Sequence, residues 1–127
     1  MPQGPAAHEG PSTILLVDDE PAVRYVARSA LEMAGHVVLE ASDGEEAVRV
    51  AEQTAGPIHI LLTDLVMPGM TGDVLAAALR TRWPGLKVVF TSGYMRDRAP
   101  HLADGAFIPK PYSLADLWAK VQEVLAR

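Results

Sequence analysis

The chain has 127 residues, 49% of them apolar and 21% charged, with a formal net charge of −5. That length supports one domain with one core, and the acidic balance gives no basic footprint for direct nucleic-acid binding. Cysteine is absent, which excludes disulfides and thiolate metal sites and suits a cytoplasmic protein; no apolar run reaches the roughly 20 residues of a bilayer span, so membrane insertion is not expected.

Residues 1–11, MPQGPAAHEGP, have neither the basic start nor the apolar stretch of a signal peptide. Their Pro, Gly and Ala content predicts a flexible leader or linker, with the folded domain in 12–127. Ile14-Leu15-Leu16-Val17 is apolar without alternation, the pattern of a strand covered on both faces. Pro21 suits a first helical turn, and Val23, Ala27, Ala30, Leu31 and Ala34 continue at helical spacing until Gly35 stops them. A weaker strand is expected from His36 to Ala41. Ser42-Asp43-Gly44-Glu45 has the form of a capping box and predicts a second helix to about Gly56.

Ile58 to Leu62 predicts the third strand, ending in Thr63-Asp64. Pro68-Gly69 marks a turn, a third helix is expected from about Gly72 to Thr81, and Leu86 to Thr91 reads as the fourth strand. A fourth helix, shortened by Pro100, is expected between Tyr94 and Asp104. Ala106-Phe107-Ile108 predicts the fifth strand, placed at a sheet edge because Pro109 cannot donate to a ladder. Ser113 and Asp116 cap a last helix whose apolar stripe is Leu114, Leu117, Trp118, Val121, Val124 and Leu125.

Strand and helix alternate five times, which implies an α/β fold: a parallel sheet with about five helices over both faces. Ligands in such sheets bind just outside the carboxyl ends of the strands. At those ends lie Asp18-Asp19-Glu20, Asp64, Ser92 and Lys110. Crowded carboxylates repel unless a cation neutralises them, and an all-oxygen ligand set selects a hard ion such as Mg²⁺. Lys110 and Ser92 suit the remaining oxygens of a phosphoryl group, and a carboxylate can itself be the nucleophile. Taken alone each residue has a plainer reading: Asp18-Asp19 as a helix cap, Ser92 as a loop hydroxyl, Phe107 as core, Tyr94 as a surface ring. Their convergence on one rim favours chemistry. His8, His36, His59 and His101 are too scattered to bind a metal.

The motifs LLVDDEP, LLTDLVMPGMTG, VVFTSGY and GAFIPKPY, in this order, resemble the receiver domain of two-component response regulators over nearly all of 12–127. The resemblance implies a doubly wound, flavodoxin-like sheet of strand order 2-1-3-4-5 with a cis Lys110–Pro111 bond. It implies Asp64 as phosphoacceptor, Asp19 as a direct Mg²⁺ ligand, Asp18 acting largely through water, and the Val66 carbonyl completing the metal shell. Ser92 matches the phosphoryl-contacting hydroxyl, Lys110 the phosphate-binding lysine and Phe107 the switch aromatic, with Ser92 and Tyr94 also in the switch. Val66 and Tyr94 occupy positions that tune phosphoryl lifetime, and neither activates water well, so autodephosphorylation is expected to be slow. The TSGY wording looks most like receivers joined to hybrid sensor kinases. The implied partners are a sensor histidine kinase or a histidine phosphotransfer protein, with the domain a monomer or a weak phosphorylation-dependent dimer.

Two other classes compete. A phosphatase of the haloacid-dehalogenase type needs an Asp two residues after its nucleophile, where this chain has Val66, and carries its acidic pair last. A pure interaction module would have lost the acceptor or the lysine, and both are present.

Overall fold

A computed structural model of the chain describes residues 11–93 and 106–127. Five strands, β1 (Thr13–Val17), β2 (Val37–Ala41), β3 (Ile60–Asp64), β4 (Lys87–Ser92) and β5 (Ala106–Pro109), form one sheet of order β2-β1-β3-β4-β5. Every neighbouring pair is parallel, with Leu15 opposite Leu61, Leu61 opposite Val88 and Phe90 opposite Phe107. β5 is an edge strand, where a proline disrupts no further ladder.

Helices α1 (Pro21–Met33), α2 (Gly44–Gln53), α3 (Gly72–Arg80) and α4 (Leu114–Leu125) cover both faces. The strand residues divide between them by period two. Ile14, Leu16, Ile60, Leu62 and Val89 pack with Ala27, Ala30 and Leu31 of α1 and with Leu117, Val121 and Val124 of α4. Leu15, Val17, Leu61, Val88 and Phe90 pack with Ala47 and Ala51 of α2 and with Leu75, Ala76 and Leu79 of α3. With neither face wet, the central strands have no polar alternation. Trp118 ties α4 to α1, its indole N–H donating to the Ala30 carbonyl at 2.7 Å. Among the described residues no helix is long and apolar enough to cross a membrane.

Several boundaries differ from the sequence reading. The N-cap of α2 is Asp43, one residue beyond the expected Ser42: Asp43 accepts from the Glu46 N–H at 2.8 Å. The Glu46 carboxylate reaches back to the backbone N–H and hydroxyl of Ser42, at 2.6 and 2.8 Å. That helix ends at Gln53, short of Gly56, because Thr54 turns extended and its hydroxyl donates to the Val50 carbonyl. β3 starts at Ile60, two residues after its apolar run begins, since the Thr13 N–H donates to the His59 ring instead of a ladder carbonyl. Four helices stand among the described residues where about five are expected; the helix expected over Tyr94 to Asp104 lies outside the described residues. Gly35 closes α1 at φ +95°, a left-handed position glycine adopts without strain. Ser113 and Asp116 form the expected capping box of α4, and Lys110–Pro111 is cis.

Candidate functional site

Parallel strands all release their polar successors on the same side of the sheet, and the register decides which of them meet. β1 ends at Val17, and Asp18 follows with its N–H on the Ala41 carbonyl, 3.2 Å, and only 2% of its surface exposed. Its Oδ1 accepts from the Glu20 N–H at 2.9 Å, which turns the chain so that Asp19 faces solvent. β3 ends on the buried Asp64, and the Leu65 N–H then donates to the Thr91 carbonyl. β4 ends on buried Ser92, whose carbonyl accepts from the Lys110 N–H at 3.0 Å.

That last bond sets the height of Lys110. Its Nζ lies 2.9 Å from Asp18 Oδ2, 3.2 Å from Asp64 Oδ2 and 3.3 Å from Glu20 Oε1. Carboxylate oxygens of Asp18, Asp19 and Asp64 lie within 4.8 Å of one another. Asp19, Glu20, Asp64, Val66, Ser92 and Lys110 border a cleft of about 660 Å³. Residues predicted from four strand ends are thus brought together. Gly72, the first residue of α3, makes the arrangement sterically possible: a Cβ there would lie 2.5 Å from the Asp64 carbonyl oxygen and 3.1 Å from the Leu65 Cα. Only glycine lets that helix start so close to the end of β3.

Burial raises the Asp64 pKa, with the charge of Asp18 adding to the rise; the Lys110 charge and hydrogen bond and the Val66 N–H pull the other way without cancelling it. For Lys110, burial works against the ammonium, but its bonds and charge pairing with Asp18 and Asp64 outweigh that and hold it charged, above the ordinary lysine value. Tyr112 is pushed up to about 12, first by burial and then by Asp18. The rim therefore carries concentrated negative charge, with the half-buried ammonium of Lys110 set among the carboxylates.

The donor set fits a divalent hard cation. Its ligands are all oxygen, Asp18 and Asp64 are buried, and Asp19 stands open to solvent, as an ion that keeps part of its water requires. Val66 borders this space with its side chain exposed. Phe107 does not border the cleft; half-buried, it packs against the α2–α3 face of the core. Tyr94 lies outside the described residues.

Two contacts were not legible in the sequence. Glu20 stands in the acidic run but gave no sign of pairing with Lys110 from 90 positions away. Arg24, on α1, donates to the Asp18 carbonyl at 2.6 Å. Its spacing of six from that residue is no local signal, because it depends on the path of the turn between them.

The chain is also similar to known proteins. Residues 14–122 match the family described as response regulator receiver domain. The sensor kinase CckA of Brucella abortus (strain 2308) is 41% identical over 122 residues, covering 93% of this chain and 13% of that protein. The transcriptional regulatory protein CpxR of Escherichia coli (strain K12) is 34% identical over 117 residues, covering 90% of this chain and 49% of that protein. The crystal structure of the receiver domain from the hybrid histidine kinase CckA superposes with a TM-score of 0.79 at 40% identity, covering 90% of this chain and 99% of that one. This chain thus spans about an eighth of one curated relative and about half of the other.

Proposed function

From the premise that the chain belongs to the response regulator receiver domain family, we propose that Asp64 accepts a phosphoryl group from a phosphohistidine, with Mg²⁺ held by Asp18, Asp19, Asp64 and the Val66 carbonyl. One observation carries this reading: the Lys110 ammonium lies between the carboxylates of Asp18 and Asp64, at the mouth of a cleft that Ser92 also borders.

In the transfer, an Asp64 oxygen attacks phosphorus, the P–N bond of the donor breaks and the imidazole leaves, giving an aspartyl phosphate. Bound Mg²⁺ supplies positive charge for the oxygens of the transferring group. Lys110 supplies a second fixed charge, already desolvated and held by Asp18, so it need not reorganise. Ser92 offers a hydroxyl donor to another phosphoryl oxygen. The buried Asp64 is poorly solvated, which favours its reaction over pairing with water.

The likeness to a sensor kinase supports a hybrid-kinase setting, with a sensor histidine kinase or histidine phosphotransfer protein as donor. The domain itself acts as a cytoplasmic signalling module, monomeric or weakly dimeric when phosphorylated, without direct nucleic-acid contact. Val66 and Tyr94 give slow autodephosphorylation, and a shift of Ser92, Phe107 and Tyr94 carries the signal as a change of population. The test is incubation with acetyl phosphate and Mg²⁺. Intact mass spectrometry is expected to show one added phosphoryl group in the wild type and none in Asp64→Asn. Full labelling of Asp64→Asn would overturn the assignment.

A further inference from the structure

Asp18 and Asp19 leave β1 on an open turn, and two ligands on a free turn would bind a cation poorly unless something fixes it. The Glu20 N–H holds the Asp18 side chain. The Asp18 carbonyl is held by the Arg24 guanidinium at 2.6 Å. That carbonyl belongs to the peptide joining Asp18 to Asp19, so the bond fixes the plane of this peptide and with it the direction in which Asp19 leaves the turn.

Arg24 is itself fixed. Its Nε pairs with Glu40 Oε1 on β2 at 3.2 Å, and Arg28 holds the other Glu40 oxygen at 2.8 Å. β2 lies beside β1 with Leu16 opposite Glu40, so Glu40 reports the position of the strand that carries the acidic pair. The Arg24 side chain is 20% exposed. A planar fork that grips a carbonyl with one nitrogen and a carboxylate with another is a role that lysine, with its single nitrogen, fills only in part.

We propose that Arg24, buttressed by Glu40, is a positioning residue for divalent-cation binding: it orients the Asp18–Asp19 peptide so that both carboxylates face the ion. This inference rests on the metal assignment above and extends it to a residue behind the ligands. Its sign is opposite to simple charge arithmetic. A cation near the site repels Mg²⁺, so if Arg24 acted only through its charge, removing it would tighten binding. If it positions the ligands, removing it loosens binding, by about 10-fold for a partner of this kind.

The experiment is an Mg²⁺ titration of the full chain, followed by amide NMR shifts, for wild type, Arg24→Met, Arg24→Lys and Arg28→Met. Expected are about 10-fold weaker affinity in Arg24→Met, partial recovery in Arg24→Lys, and a smaller weakening in Arg28→Met, which removes the same charge one turn along α1 and one of the two bonds on Glu40 but leaves the Arg24 bond to the Asp18 carbonyl in place. Labelling by acetyl phosphate is expected to be slow in Arg24→Met at low Mg²⁺ and to return to the wild-type rate at saturation. Unchanged or tighter binding in a folded Arg24→Met overturns the proposal, as does a labelling defect that saturating Mg²⁺ leaves in place, or an Arg28→Met as weak as Arg24→Met. If Arg24→Met does not fold, Glu40→Gln loosens the buttress while keeping Arg24. A smaller weakening is expected there, and wild-type affinity overturns the proposal. Failure of the wild type itself to bind Mg²⁺ saturably would defeat the metal assignment and this inference together, whereas a saturable wild type with an indifferent Arg24 defeats this inference alone.

Discussion

The body of the sheet and its carboxyl rim are built from the same strands, yet they solve opposite problems. In the body, Leu15, Leu16, Leu61 and Leu62 are at most 2% exposed, Leu15 and Leu61 in the apolar cluster of one face and Leu16 and Leu62 in that of the other. One residue beyond the end of β1, and on the last residue of β3, the same degree of enclosure is imposed on carboxylates: Asp18 is 2% exposed and Asp64 7%. Burial that stabilises leucine costs free energy for an ionised aspartate. The rim survives because Lys110 compensates the charge, and because the body below it is stable enough to carry the cost. Function sits where the fold is locally unfavourable, a few ångströms from where it is most favourable.

The sharpest way to break this contrast is to weaken the body. Leu62→Ala is expected to cost about 2–5 kcal/mol of unfolding free energy, measured by urea denaturation. Below the resulting midpoint, labelling at Asp64 is expected to persist. If the mutant folds but no longer labels, body and rim are not separable.

Next in size is Lys110→Met, which leaves Asp18 and Asp64 buried without their cation. A loss of about 1–3 kcal/mol is expected without metal. Mg²⁺ is then expected to raise the melting temperature of this mutant more than that of wild type, since the ion replaces the missing charge. Equal Mg²⁺ shifts in both proteins would show that Lys110 does not compensate the cluster.

Smaller, and of opposite sign, is Asp64→Asn. Burial and Asp18 hold the Asp64 pKa above its ordinary value, so at neutral pH the ionised group costs the folded state free energy. Removing the charge is expected to raise the melting temperature in chelator by roughly 3–6 °C, the equivalent of about 1 kcal/mol. A lower melting temperature would mean that the bond to Lys110 outweighs burial.

The smallest effect belongs to the cap of α2, which follows Ala41, the residue whose carbonyl accepts from the Asp18 N–H. The Ser42 backbone and hydroxyl bonds hold the Glu46 pKa below its ordinary 4.5. A depressed carboxylate stabilises the fold above its unfolded value and loses that contribution as pH falls through its folded value. Wild type is therefore expected to melt slightly above Glu46→Gln at neutral pH, with the gap closing in acid below pH 4.5. A gap independent of pH would assign the effect to something other than ionisation.

Body and rim were also unequally legible in the sequence. The unalternating runs at Ile14–Val17 and Ile60–Leu62 are direct consequences of two covered faces, so sheet class and strand sequence follow from them. The site residues were legible because each immediately follows or ends a strand, which places them whatever the loops do. The α2 cap was misplaced by one residue because Ser42 and Asp43 are equally good caps and Glu45 and Glu46 equally good partners. Arg24 and Glu40 were missed for a different reason. Their contacts depend on the turn at Asp19–Glu20 and on side-chain reach, and neither has a local period. Tyr94 and the helix expected around it lie outside the described residues.

On the proposed function, the rim concentrates its cost on one nucleophilic carboxylate, Asp64. Borohydride reduction of the protein after exposure to acetyl phosphate and Mg²⁺ tests this directly, because an aspartyl phosphate is reduced to homoserine and peptide sequencing by mass spectrometry then reads its position. Homoserine in place of aspartate at position 64, and at no other carboxylate, is the predicted result. Homoserine at Asp18 or Asp19, or an unreduced chain that nevertheless carries a stable label, would contradict it.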